Sequence, residues 1–123
     1  KFAAPTAAAA LTEAFKRGGL DATIATYDQV CPAPDDVRNC SPIDAVEYTV
    51  APLLLQRNEK DRLAALVDWA ERRFPDDVEV QTWAALEHKK ASRLDRSQAA
   101  FKRALQLAPG SPYILYHLQL LRN

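Results

Sequence analysis

Along this chain, apolar residues recur every third or fourth position between clusters of Gly, Pro, Asp and Asn. Nowhere do apolar and polar residues alternate with the period of two that a half-buried strand requires. The pattern predicts seven helices, roughly 6–17, 21–30, 42–57, 60–74, 78–92, 96–107 and 112–121. Their boundaries have physical causes. Ser41-Pro42-Ile43-Asp44 predicts a hydroxyl at the N-cap, proline at the first helical position and a carboxylate in the first turn, and Ser111-Pro112 repeats the device. Pro75-Asp76-Asp77 stops one helix and caps the next, while Gly18-Gly19 splits the first pair. Pro52 falls inside the third helix, where it is expected to kink the helix or free a carbonyl. The fold class expected is all-α.

The chain is also self-similar. Pro75 and Pro109, Ala70 and Ala104, and Ala51 and Ala85 all stand in the same relation, i to i+34. A fixed period of this size is the mark of a helical repeat array. Small residues belong at such positions, because antiparallel helices approach closely only where no bulky side chain intervenes. Proline is tolerated after the second helix because it cannot continue it.

These residues resemble a known family. The stretch WAALEHKKASRLDRSQAAFKRALQLAPGSP is similar to a tetratricopeptide repeat, with Ala85, Phe101, Ala104 and Pro109 at the family's small, aromatic, small and closing-proline positions. The preceding unit, 44–77, agrees at Ala51, Ala70 and Pro75, with Val67 in place of the aromatic residue. Tyr113 sits near the family's opening aromatic position. The resemblance covers residues 44–121; residues 6–31 resemble a degenerate unit only loosely, through Thr23, Tyr27 and Val30. Asn58 and Asp95 stand where the family's usual turn glycine is expected, and both tolerate left-handed geometry better than most residues. The resemblance implies a right-handed superhelix of about three antiparallel helix pairs plus a C-terminal helix. One domain would span 1–123: a degenerate pair at 6–31, a Cys-bounded loop at 32–41, pairs at 42–77 and 78–110, and a terminal helix at 111–123.

A protein- or peptide-binding function is the family's implication, through a groove on the inner, first-helix face. Position by position, that places Tyr48, Leu55, Gln56, Thr82, Leu86, Lys89, Lys90, Ile114 and Leu118 on the groove. The family's clamp for chaperone C-terminal carboxylates is absent, because Tyr48, Pro52 and Trp83 occupy three of its positions. What remains is a mainly apolar groove with a basic edge at Lys89-Lys90, suited to a peptide with apolar anchors and an acidic group. The run LTEAFKRGGLDATIATYDQV with the helix pairs after it is also similar to repeat segments appended to secreted serine hydrolases and β-lactamase-like proteins. The alternative reading is therefore an accessory or regulatory domain of a larger secreted enzyme.

Composition narrows the field. The chain has 123 residues, 48% hydrophobic and 26% charged, enough for one core and a solvated surface. Sixteen basic and sixteen acidic side chains cancel, which gives no broad electrostatic case for nucleic acid or an anionic membrane. No apolar run approaches the roughly 20 residues that span a bilayer. The chain begins at Lys1 without an initiating Met or a leader pattern, and reads as a piece from which any targeting signal has been removed.

The two cysteines, Cys31 and Cys40, bound a polar loop short enough to close on itself. A disulfide there would remove about 2.5–3 kcal/mol of loop entropy from the unfolded chain and imply a periplasmic or secreted setting. Two free thiols in a cytoplasmic protein is the alternative. Cys40 also lies within the triplet Asn39-Cys40-Ser41, a formal glycosylation sequon of a kind that arises readily by chance. No catalytic residue, metal site or cofactor is expected. The sequence has no HExxH or GxSxG, and with three glycines it has little material for a phosphate loop. His88 and His117 lie on first helices of consecutive units and could form a metal or proton-transfer pair, but packing or solvent-facing roles are the reading favoured. In the last helix, PYILYHLQLLRN is apolar around most of its circumference, so residues 112–121 are expected to self-associate or to dock on the remainder of a longer chain.

Overall fold

The computed structural model describes residues 7–31 and 41–122. All regular structure among them is helical. Helix α1 runs Ala7–Val30, α2 Pro42–Ala45, a π-helical turn Val46–Val50, α3 Ala51–Gln56, α4 Lys60–Arg73, α5 Val78–Lys90, α6 Leu94–Leu107 and α7 Pro112–Arg122. The chain divides into two compact units, Lys1–Leu66 and Val67–Asn123.

In the first unit, α1 is two helical segments joined at Gly19, the one residue in it with non-helical dihedrals (φ 75°, ψ −156°). Only glycine occupies that region without strain. A side chain there would also meet the guanidinium of Arg62 at 3.1 Å. The expected split at Gly18-Gly19 is therefore a single-residue kink. Leu11, Phe15, Leu20 and Tyr27 of α1 are buried, as are Ile43, Val46, Val50 and Leu54 from the helical run that follows the loop. Arg57 places its guanidinium 4.9 Å from the centre of the Phe15 ring.

Pro52 follows a local widening of the helix. Proline lacks an N–H and its ring collides with the carbonyl four residues earlier in a regular α-helix. Here the helix widens just ahead of it: Ala51 N–H bonds to Val46 O, five residues back, within the π turn. Thr49 Oγ1 also donates to Asp44 O, five residues back, at 2.8 Å. The wider turn absorbs the misfit, and the helix continues to Gln56.

In the second unit, α5 and α6 pack as a pair, and α7 packs on α6. Ala85, Ala100, Phe101, Ala104, Ile114 and Leu118 form one buried cluster. Three alanines let the backbones of α5 and α6 approach closely while Phe101 fills the remaining volume. Ser97 Oγ donates to Ala85 O at 2.7 Å across this contact. The N-caps differ from one another. Asp77 caps α5, accepting from Val80 N–H at 3.0 Å, and Ser111 caps α7, accepting from Ile114 N–H at 3.3 Å. Ser41, by contrast, is the N-cap residue of α2 but its hydroxyl makes no capping bond.

The recurrence read from the sequence extends to the hydrogen bonds. Arg57 N–H bonds to Leu53 O, Asn58 to Leu55 O and Glu59 to Leu54 O; one period later Ala91 bonds to Glu87 O, Ser92 to Lys89 O and Arg93 to His88 O. Among the described residues, Asn58 and Ser92 are the two non-glycine residues with left-handed dihedrals, at φ 59° and 61°. The same offset relates Leu63→Glu59 to Ser97→Arg93, Phe74→Ala70 to Ala108→Ala104, and Gln81→Asp77 to Leu115→Ser111. Burial repeats with it. Val46, Val80 and Ile114 are buried, as are Val50, Ala84 and Leu118, and the pairs Ala51 and Ala85, Val67 and Phe101, and Ala70 and Ala104. One expectation is corrected: Asp95 lies in the first turn of α6, and the left-handed turn residue matching Asn58 is Ser92. Placing the start of the sixth helix at Arg96 overlooked this turn, since α6 begins at Leu94.

Candidate functional site

The described residues offer two kinds of site: outward-facing positions that the repeat reproduces, and a polar cluster around a buried histidine in the second unit. Among the first, Tyr48 and Leu55 are 67% and 57% exposed, and Gln56 is exposed. On α5, Thr82 is half-buried and donates its hydroxyl to Val78 O at 2.7 Å. Leu86 is half-buried against the Ala85–Phe101 cluster. Lys89 is half-buried, and Lys90 is exposed with its ammonium 3.4 Å from Glu87. Ile114 and Leu118 are a correction: both are buried in the cluster with α6, so neither presents a side chain to a ligand. The large apolar residues of α7 that do face outward are Tyr113, Leu115, Tyr116 and Leu120. Tyr48, Thr82 and Tyr116 stand one period apart, as do Pro52, Leu86 and Leu120, and each of the six is exposed or half-buried. The sequence contained that spacing, but the apolar character all round α7 hid which side faced the core.

The polar cluster centres on His88, which is fully buried at the position equivalent to Leu54. Its Nε2 lies 2.9 Å from Glu71 Oε1. Arg96 reaches both carboxylates, at 2.9 Å to Asp68 and 3.4 Å to Glu71, and Arg93 approaches Asp68 at 3.6 Å. Nearby, Gln81 is buried and donates to the carbonyls of Glu71 at 3.1 Å and Phe74 at 3.0 Å, tying α5 to the end of α4. Burial pushes the Glu71 carboxyl upward, but the His88 hydrogen bond and the charges of His88, Arg96 and Arg103 outweigh it and hold the group below its ordinary value. With Glu71 ionised, Nε2 must carry the proton it shares. His88 Nδ1, on the other side of the ring, has no hydrogen-bond partner among the described residues.

Candidate ligand atoms of Asp68, Glu71 and His88 lie within 4.8 Å of one another, a spacing compatible with a metal ion. The arginines argue otherwise. Two guanidinium groups already neutralise the two carboxylates, and a divalent cation would have to displace Arg96 and sit beside Arg93 against their positive charge. The cluster is better described as a partly exposed ion-pair network built against the buried His88. Sequence spacing alone missed it, since its acidic members come from α4 and its histidine from α5.

His117 has a different setting. Its ring stacks on Phe101 at 5.2 Å with planes 7° apart, and Tyr113 and Tyr116 meet it edge-on at 4.5 and 5.5 Å. Partial burial, then the charge of Lys89, lowers its pKa below the ordinary value. The two histidines thus have distinct partners, and each packs within its own cluster. Cys31 is buried just beyond α1, with its N–H bonded to Tyr27 O at 2.8 Å; Cys40, its expected partner, and the loop 32–40 lie outside the described residues.

Together these features define a helical protein with an internal repeat, exposed aromatic and aliphatic side chains at equivalent positions, and an ionic cluster around the buried His88. Compared with known proteins, the chain matches no family model, no curated protein and no solved structure. No helix among the described residues is long and apolar enough to cross a membrane.

Proposed function

We propose that the chain is a non-enzymatic, tetratricopeptide-like repeat domain that binds a segment of another protein on the outward faces of its first helices. The observation that carries this reading is the recurrence of solvent-accessible side chains, apolar or aromatic at all but Thr82, at equivalent outward positions. Tyr48, Thr82 and Tyr116 form one series, and Pro52, Leu86 and Leu120 the other. A large hydrophobic residue left exposed singly needs no explanation, but a repeated series of them marks an interaction surface. Aromatic and leucine anchors supply contact area with little ordering cost when the helices that carry them are already rigid. Lys89, at the edge of the α5 face, favours a segment with an acidic group.

The proposed setting is extracytoplasmic, with Cys31 and Cys40 bridged. The test of function is peptide selection from a displayed random library on the purified chain. Peptides with apolar anchors are expected, and the Tyr48→Ala, Leu86→Ala double variant should bind them at least about tenfold more weakly, a loss of about 1.4 kcal/mol. Equal binding by both proteins would end this reading.

A further inference from the structure

Lys89 differs from the other charges around it. It is half-buried on α5, yet it has no carboxylate partner among the described residues. Its exposed neighbour Lys90 sits 3.4 Å from Glu87, and Arg93 and Arg96 are paired with Asp68 and Glu71. A half-buried ammonium has lost part of its hydration and recovers nothing without a counter-charge. The group its charge does reach is His117 of α7. The two helices converge there on the Phe101 ring. Leu86, one turn before Lys89, packs on the cluster that holds Phe101, and His117 stacks on that ring at 5.2 Å. His117 also lacks a hydrogen-bond partner among the described residues. No acid completes the setting. On α7 itself, Tyr113 and Tyr116 meet the imidazole edge-on, and the helix has no Asp or Glu. From α6 comes Phe101; Lys102 is exposed, Arg103 acts on Glu71, and the one acid, Asp95, lies in the first turn. From α5 comes Lys89; Glu87 is held by Lys90, and Glu79 lies in the first turn.

We propose that Lys89 and His117 together receive the side-chain carboxylate of an Asp or Glu in the bound protein segment, and that this recognition strengthens on acidification as His117 takes up a proton. The inference rests on the segment-binding reading above and specifies the acidic group of that segment. An ammonium and an imidazole both offer N–H donors, and a carboxylate between them supplies the counter-charge that the protein lacks. One permanent cation matches the single negative charge of a carboxylate better than the double charge of a phosphate. In the free chain, partial burial and Lys89 hold His117 in its neutral form to below the ordinary value of 6.5. A carboxylate placed against both groups offsets the Lys89 charge and favours the imidazolium, so ligand and proton each promote the binding of the other. The effect therefore develops as pH falls below the ordinary histidine range and ends where the ligand's own carboxylate is protonated. Lys89 and His117 each have a leucine one turn away on the same helix, Leu86 and Leu120, both at outward positions. An acid with apolar residues on both sides uses both leucines, whereas a chain terminus would use one.

The full chain is titrated with the acetylated, amidated peptide Leu-Ala-Glu-Ala-Leu and with its Gln counterpart, and the pKa of His117 is read from its ring-proton NMR signals. At saturation the Glu peptide should raise that pKa by at least about 0.5, which by linkage is about threefold tighter binding below both values than above them. The Gln peptide should leave it unchanged. Lys89→Gln should abolish the preference for the Glu peptide, and His117→Phe, which keeps a ring stacked on Phe101, should abolish the pH dependence of binding. A His117 pKa unmoved by the Glu peptide, or raised equally by both peptides, overturns the proposal. A rise produced only by the Gln peptide with a free C-terminal carboxylate overturns the assignment to a side chain. The peptide library decides the wider reading separately: apolar peptides recovered beside an unresponsive His117 would remove this inference alone.

Discussion

His88 shows how much one side chain can reveal. In the preceding repeat its position is Leu54, fully buried, and the histidine keeps that burial while reaching Glu71. Removing it leaves both a cavity and a partly buried carboxylate with one partner fewer, so His88→Ala should cost about 2–4 kcal/mol in urea unfolding. His88→Leu, which installs the residue of the neighbouring repeat, should cost clearly less, because the volume is retained and Glu71 keeps Arg96. An equal loss for both variants would assign the site's stability to the ion pair alone. The depressed carboxyl of Glu71 also sets a pH dependence. The unfolded chain binds the proton more readily, so the stabilisation is fully present above the ordinary glutamate range and is lost as pH falls through the lower folded value. Glu71→Gln should flatten that acid limb of the stability profile. His117 acts in the same direction at higher pH. Its folded pKa lies below 6.5, so stability falls as pH drops from there. His117→Phe, which retains the stacking on Phe101, should remove that component.

At the scale of elements, turns decide most. Asn58 and Ser92 both carry the left-handed strain of a Cβ at φ near +60°. Asn58→Gly and Ser92→Gly should therefore each stabilise, by up to about 1 kcal/mol, with the same sign in both turns. Gly19→Ala should do the opposite and cost about 1–3 kcal/mol, since its dihedrals are accessible to glycine alone. Thermal melts of the three variants read out both effects. Helix type and approximate extent were legible in the sequence because Gly, Pro and capping residues punctuate a clean apolar period. The exact turn residue was not: Asp95 and Ser92 are both polar turn formers, and only the backbone bonds from Ser92 to Lys89 and from Arg93 to His88 distinguish them. Pro52 was legible as a disturbance but not as a π turn, because a wider turn leaves no compositional trace. On α7 the apolar residues surround the helix, so periodicity could not separate the buried Ile114 and Leu118 from the outward Leu115 and Tyr116. The ionic cluster was invisible for another reason: its members are local in space but not in sequence.

For the molecule as a whole, the claim is that one repeating pattern is written through both compact units. Its sequence marks were three alanine and proline pairs; its structural marks are matched turns, caps and buried positions, even where the residues differ, as with Leu54 and His88 or Asp77 and Ser111. The expected Cys31–Cys40 bridge lies beside this pattern, and reducing agent should then lower stability by about 2.5–3 kcal/mol while thiol titration of the native chain finds no free sulfhydryl. The repeat itself is tested most directly by residue-resolved amide hydrogen exchange. Glu59 and Arg93 donate across the two turns, and Leu63 and Ser97 begin the next helices in the same way. These amides should exchange slowly and as matched pairs, Glu59 with Arg93 and Leu63 with Ser97. Slow exchange at Glu59 and Leu63 with unprotected Arg93 and Ser97, or the reverse, would contradict the repeat and every inference built on it.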